Sequence, residues 1–362
     1  MPLEDWFDSY QYEIDYDIGE SGVKYLSFDD VGLSLTNVQL RYGYHVGNPN
    51  LRTIIAEQYD GFGADRIAVT TGSSEANFAV ISALVNEEAH MVVEFPNYPS
   101  LYEVPKSLGL HHDRFLLTFE EGFEPNIARL ESLLKKNTKL VTLTHPNNPT
   151  GSVISEKRLR EIIELVESHD AYLLHDETYR ELSFEKPPPP AAVLSDHAIS
   201  MTTLSKSYGL PGIRIGWIAG PKRIIESVRA VREQITICNS ALGEAIAAHV
   251  LMQREKILSD VRSRVKRNFE TLRGWMANQD LLDWVEPSGG VVAFPRLKRG
   301  VTTDICRLLV SKYRTFTIPG YGFEMPEHLR IGFGGEANEL IEGLKRLKLA
   351  MEEQLTAGSE HG

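Results

Sequence analysis

Thr203-Leu204-Ser205-Lys206-Ser207-Tyr208-Gly209-Leu210-Pro211-Gly212-Ile213-Arg214-Ile215-Gly216-Trp217 is the stretch on which the reading of this chain turns. A β-rich run at 199–204 enters it and another at 215–219 leaves it, with a lysine among small residues between them. A lysine just past an apolar strand is partly desolvated, which favours the neutral amine. A neutral amine can attack a carbonyl and form a Schiff base. Ser205 adds a hydroxyl, and Arg214 adds a permanent cation suited to a phosphate. The three together suggest a carbonyl cofactor that also carries a phosphate. Taken alone, the motif is better explained as a surface lysine before a glycine-rich turn.

It does not stand alone. Further strand candidates lie at 67–71, 91–94, 140–144 and 172–175, rich in Val, Ile, Leu and Thr. Helical patterns at 75–85, 155–168 and 221–234 alternate with them, Ser155 standing at an N-cap and Pro221 in a tolerated first-turn position. Strands alternating with helices predict an α/β architecture, a mostly parallel central sheet covered by helices on both faces. Three more motifs follow predicted strands. Thr71-Gly72-Ser73-Ser74-Glu75 opens a helix whose N–H groups and hydroxyls would hold an anion. Asn147-Asn148-Pro149-Thr150-Gly151 sits in a turn, and Asp176-Glu177-Thr178-Tyr179 places a carboxylate and a phenol at a strand end. Ligands of open α/β sheets bind at that edge.

Composition bounds the answer without naming it. The chain has 362 residues, 38 Lys plus Arg against 50 Asp plus Glu, and a net charge of −12. The acidity argues against an electrostatic nucleic-acid binder. Two cysteines, Cys238 and Cys306, are too few for a disulfide framework. The opening residues lack the basic start and apolar core of a signal peptide, and no stretch reaches the ~18 apolar residues of a membrane helix. A cytoplasmic location without membrane or nucleic-acid partners is expected.

Towards the C-terminus the pattern becomes mainly helical at 240–279. A strand at 291–294, a helix at 302–313, a strand at 329–333 and a helix at 339–355 follow. This predicts a smaller α+β domain built from 1–39 and 241–362 around a large domain at 40–240. The prolines at 187–190 read as a rigid connection, His111-His112-Asp113 as a solvated turn, and Gly61-Phe62-Gly63 as lacking the third glycine of a dinucleotide fingerprint.

The ordered set Gly72-Ser73-Ser74-Glu75, Pro96-Asn97-Tyr98-Pro99, Asn147 to Gly151, Asp176 to Tyr179, Ser205-Lys206, Arg214 and Leu329-Arg330-Ile331-Gly332 resembles the class I/II aminotransferases. These are pyridoxal 5′-phosphate (PLP) enzymes of fold type I. The resemblance implies that Lys206 carries PLP as an aldimine and shuttles a proton, and that Asp176 pairs with the ring nitrogen. It implies that Tyr179 and Asn148 hydrogen-bond the phenolic oxygen and that Tyr98 stacks on the ring. Gly72, Ser73, Ser74, Ser205 and Arg214 would hold the phosphate, and Arg330, with Asn148, the substrate carboxylate. Tyr42 resembles a tyrosine that reaches the neighbouring subunit's phosphate, so a homodimer with shared sites is expected. The implied reaction is ping-pong transamination between an L-amino acid and a 2-oxo acid.

A narrower resemblance pulls towards the capreomycidine synthase-like members. It rests on the stretch 17–23, which ends Glu20-Ser21-Gly22-Val23, on Gly209-Leu210-Pro211-Gly212, and on 287–295. It implies β-elimination and cyclisation of a hydroxylated arginine-like amino acid on PLP, with Gly22 in the substrate-binding strip.

Overall fold

A strand that is apolar on both sides needs cover on both faces. The computed structural model describes residues 1–35 and 38–359, with side chains to 354. It gathers the six strands predicted between 67 and 219, with one more at 111–116, into one seven-stranded sheet: β1 (Ile67–Thr70), β2 (His90–Phe95), β3 (His111–Leu116), β4 (Thr138–Thr144), β5 (Tyr172–Asp176), β6 (Ala198–Thr203) and β7 (Gly216–Ala219). Their order is β1-β7-β6-β5-β4-β2-β3. β7 runs antiparallel to both neighbours, and the other pairs are parallel.

Successive residues of one strand feed opposite cores. Val92, Val141 and Leu173 pack with Leu159, Ile162 and Val166 of helix Glu156–Ser168. Met91, Val93, Leu140 and Leu174 pack on the other face with Ala76 and Val80 of helix Gly72–Leu84 and Val228 of helix Lys222–Arg232. Each such side chain, fully buried, contributes about 1.5–3 kcal/mol. The predicted cap at Ser155 forms, its Oγ accepting from Arg158 N–H at 3.2 Å. Pro221 stands one residue earlier than expected, as the N-cap.

One expectation is corrected, and another is refined. His111-His112-Asp113 is not a solvated turn but the start of β3, paired residue for residue with β2. An edge strand leaves side chains in solvent, so its polarity reads like a turn. The predicted helical stretch at 240–279 is two helices, Ala241–Met252 and Arg254–Met276, which meet at Gln253.

The N-terminal segment supplies an element with no counterpart in the motifs. Pro2–Tyr10 is a helix that buries Leu3 and Trp6, and the Trp6 indole N–H donates to Thr317 O at 2.9 Å. Strand Tyr16–Asp17 then pairs in parallel with Thr315–Phe316. Beyond it the chain crosses to the lysine turn, where Val23 N–H donates to Lys206 O and Leu26 N–H to Gly209 O. Gly209 permits the approach, since a Cβ there would lie 2.2 Å from Lys24 O. Strands Val292–Ala293, Leu329–Gly332 and Ile318–Pro319 form a small antiparallel sheet beside this strap. Among the described residues no helix is long and apolar enough to cross a membrane.

Candidate active site

Parallel strands deliver their C-terminal ends to one edge of a sheet. Here β4, β5 and β6 end at Thr144, Asp176 and Thr203, and the turns that follow carry Asn148, Tyr179 and Lys206. A cavity of about 270 Å³ opens over that edge, and Ser73, Ser74, Tyr98, Asn148, Asp176, Tyr179, Ser205, Lys206, Arg214 and Arg330 all line it.

One end is an anion cradle. Ser73 and Ser74 occupy the first turn of helix Gly72–Leu84, where free N–H groups and the helix dipole favour negative charge. Arg214 takes a left-handed backbone (φ 55°), and its Nη1 donates to Pro211 O at 3.0 Å and Ser205 Oγ at 3.4 Å. Gly72 lies behind the cradle, and a Cβ there would stand 2.5 Å from Arg214 Nη2. Only a glycine leaves the guanidinium in place.

The floor is a buried carboxyl. Burial raises the Asp176 pKa to about 6, against the opposing hydrogen bond from Thr178 N–H to Oδ1 at 3.0 Å. A carboxyl poised in this way suits a partner that brings its own proton. Beneath it, His175 Nδ1 stands 3.1 Å from Glu177 Oε1, which also accepts from Ser200 Oγ and Ala191 N–H. Two neighbouring loops are fixed by one buried carboxylate. Glu94 Oε2 accepts from Asn97 Nδ2, Asn147 Nδ2 and Thr144 N–H, holding the turns that carry Tyr98 and Asn148.

Lys206 corrects the sequence reading. Burial does pull its pKa down, but Glu20 and Tyr179 outweigh it, so the pKa is raised and the amine holds its proton. The Lys206 Nζ lies 2.8 Å from Glu20 Oε1, 186 residues away in sequence, which no local motif could register. Burial raises the Glu20 pKa, and Lys206 and Arg330 more than reverse this, leaving it lowered. Arg330 is buried, with Nη2 donating to Gly19 O at 2.7 Å and Nη1 to Asn148 Oδ1 at 3.0 Å. Its buried Nε has no hydrogen-bond partner among the described residues.

Two expected residues stand apart. Tyr42 is 84% exposed and borders a separate cavity with Tyr44, Asn48 and Glu244. Gly22 is buried behind the lining, where its backbone hydrogen-bonds Glu20. Conversely, Glu4, Phe7, Asp8 and Gln11 line the cavity although no motif pointed to them, and Glu20 and Ser21, quoted only within the stretch 17–23, line it too. The apolar positions 3, 6, 7 and 10 are helically spaced, a signal that could have placed Glu4 and Asp8 on an adjoining face.

Residues 29–347 match the family model for aminotransferase class I and II. The chain belongs to that family. It is 31% identical to capreomycidine synthase from Streptomyces vinaceus over 95% of this chain and 91% of that one. It is 30% identical to a probable N-acetyl-LL-diaminopimelate aminotransferase from Bacillus subtilis, over 78% and 73% of the two chains. Among solved structures, a PLP-dependent aminotransferase from Streptococcus suis superposes with a TM-score of 0.93 at 29% identity, covering 97% of each chain. The PLP-dependent cyclase OrfR superposes with a TM-score of 0.90 at 29% identity, covering 97% and 96%. The fold is fold type I of the PLP enzymes, and the cofactor is PLP. The cavity fits it: a cationic cradle at a helix start, a buried carboxyl and a lysine amine occupy a single space.

Proposed function

We propose that the protein is a PLP-dependent aminotransferase acting on an L-amino acid and a 2-oxo acid by a ping-pong mechanism. The observation that carries this reading is the convergence of the Lys206 amine, the Asp176 carboxyl and the Arg330 guanidinium on one cavity. Bound PLP supplies an electron sink for the substrate's α-carbon. Lys206 would hold the cofactor through Nζ and, once displaced as a neutral amine by the substrate, would take the α-proton and return it to the cofactor carbon bonded to the substrate nitrogen. Asp176 would hold a proton on the ring nitrogen. Tyr179 and Asn148 would hydrogen-bond the phenolic oxygen, and Tyr98 would cover the ring face. Gly72, Ser73, Ser74, Ser205 and Arg214 hold the phosphate. Arg330 takes the α-carboxylate in a two-pronged pair, with Asn148 orienting it and Gly22 backing the strip beside it.

The same reading assigns a cofactor-holding body to 40–240 and a smaller one to 1–39 and 241–362. Of these, 36–37 and 360–362 lie outside the described residues. Tyr42, Leu40 and Tyr44 expose large apolar surfaces, which supports a homodimer in which Tyr42 reaches the partner's phosphate.

A second reading, elimination and cyclisation of a hydroxylated arginine-like amino acid, is supported by the similarity to capreomycidine synthase across 95% of the chain. One experiment separates the two. A panel of amino acids is mixed with the holoenzyme without an acceptor. Transamination converts the cofactor to its amine form with one equivalent of 2-oxo acid. Consumption of hydroxyarginine over many turnovers without that conversion overturns it in favour of the second reading.

A further inference from the structure

Glu4, Asp8 and Glu20 are charged cavity residues for which the proposed chemistry has no task, and of these Glu20 touches the amine on which that chemistry depends. Its carboxylate is 2.8 Å from Lys206 Nζ, and both side chains keep partial access to the cavity, 23% for Glu20 and 29% for Lys206. The backbone that carries it is held from several sides. Asp17 Oδ1 accepts from Gly19 N–H at 2.7 Å and Glu20 N–H at 2.9 Å. Gly19 O accepts from Arg330. Gly332 abuts the same strap so closely that a Cβ there would lie 2.0 Å from Glu20 O. A carboxylate set this firmly is not a long surface side chain that found a lysine by chance.

We propose that Glu20 is a positioning residue that fixes the protonation of the Lys206 nitrogen and thereby sets the alkaline limit of the reaction. The ionisable groups that face the pair are Tyr179 and Arg330 around Lys206, and Asp17, Tyr25, Tyr179 and Arg330 around Glu20. Arg330 is turned to Gly19 O and Asn148, so the anion beside Lys206 Nζ is Glu20. A nearby negative charge favours the protonated nitrogen while Lys206 holds the cofactor, and makes the neutral amine a stronger base once the substrate has freed it. In the freed state the substrate's Cα–H bond breaks, an Nζ–H bond forms and the electron pair stays on the substrate. Glu20 then stabilises the resulting ammonium without itself changing protonation. Its effect is to hold the lysine's acid form, and so its delivery of the proton, to a higher pH.

This inference rests on Lys206 as the cofactor-bearing lysine. That premise has its own test: a wild-type protein with no visible cofactor band, or a Lys206→Ala variant that keeps it, overturns the premise and leaves Glu20 aside. The test of Glu20 is a pH titration of the holoenzyme's visible absorption band, which reports protonation at the Lys206 nitrogen. Glu20→Gln keeps the shape and removes the charge. Its midpoint is expected to fall by about 1–3 pH units, the ordinary effect of losing an adjacent opposite charge. The alkaline limb of kcat/KM moves down with it, while Glu20→Asp restores part of the shift. An unchanged midpoint in Glu20→Gln, or activity lost equally at every pH, overturns the proposal. If Glu20→Gln fails to take up PLP, Glu20→Asp decides: a lowered midpoint supports the proposal and an unmoved one overturns it.

Discussion

The cavity has a floor and a wall, and the two are encoded differently. The floor is made of residues within a few positions of a strand end: Asn148 after β4, Asp176 and Tyr179 at and after β5, Lys206 after β6. The wall comes from the N-terminal helix and strap, which meet the rest of the site across 186 residues at Lys206 and 311 residues at Arg330. Strand-end placement fixes which groups can react. Long-range closure fixes their charge state and what they face. The floor should therefore yield large losses when altered, and the wall smaller shifts.

Lys206→Ala is expected to have the largest effect. Loss of a positioned acid–base group costs on the order of 10²–10⁴-fold, and the cofactor anchor goes with it. The measurements are single-turnover rates and the visible absorption spectrum. A variant within tenfold of the wild type would place the reacting amine elsewhere and end the distinction between floor and wall.

Asp176 tests the floor through stability. Its pKa stands raised from the ordinary 3.8 to about 6, so between those values the native state binds the extra proton. Stability falls as pH rises through that window, and above about pH 6 the full penalty is present. Its size is on the order of 3 kcal/mol. Asp176→Asn in the cofactor-free protein should therefore resist urea better than the wild type at pH 8, lose that advantage near pH 4, and bind PLP poorly. Equal advantage at both pH values would mean that the carboxyl is not held by burial in this way.

These two expectations concern residues that the sequence exposes directly. Asp176, Lys206 and Asn148 are legible because each follows a β-rich run and sits in a short, distinctive turn. The sheet is legible for the same reason, except β3, whose side chains at the edge face water. The charge state of Lys206 was not legible. Burial can be inferred from a strand end, but the countercharge from Glu20 requires a chain crossing that only the folded structure sets. Helix Pro2–Tyr10 leaves only a short trace, the apolar spacing at 3, 6, 7 and 10, because nine residues make few turns.

Arg330 joins floor to wall, bonded to Asn148 on one side and Gly19 on the other. Arg330→Gln removes charged hydrogen bonds worth about 1.5–3 kcal/mol, so kcat/KM should drop by roughly 10- to 150-fold. An arginine that serves the substrate carboxylate loses this through KM for every amino acid in the panel. If kcat falls and KM does not, Arg330 is chiefly a brace between the two regions.

Glu4 should show the smallest effect and the most informative one for the wall. Its Oε1 accepts from the Tyr98 hydroxyl at 2.8 Å, tying the N-terminal helix to the loop that Glu94 fixes from below. Burial and the Glu4 carboxylate both raise the Tyr98 pKa, so the phenol remains the donor at working pH. Glu4→Ala removes one hydrogen bond, about 0.5–1.5 kcal/mol. That corresponds to at most roughly tenfold in any equilibrium it enters. The cofactor band should keep its position, because Glu4 accepts from Tyr98 whereas Lys206 donates to Glu20. What should move is KM, since Glu4 lines the same cavity as Arg330 and anchors the helix that walls it. A changed band with an unchanged KM would reverse the division: the wall would then act on the cofactor and the floor alone would select the substrate.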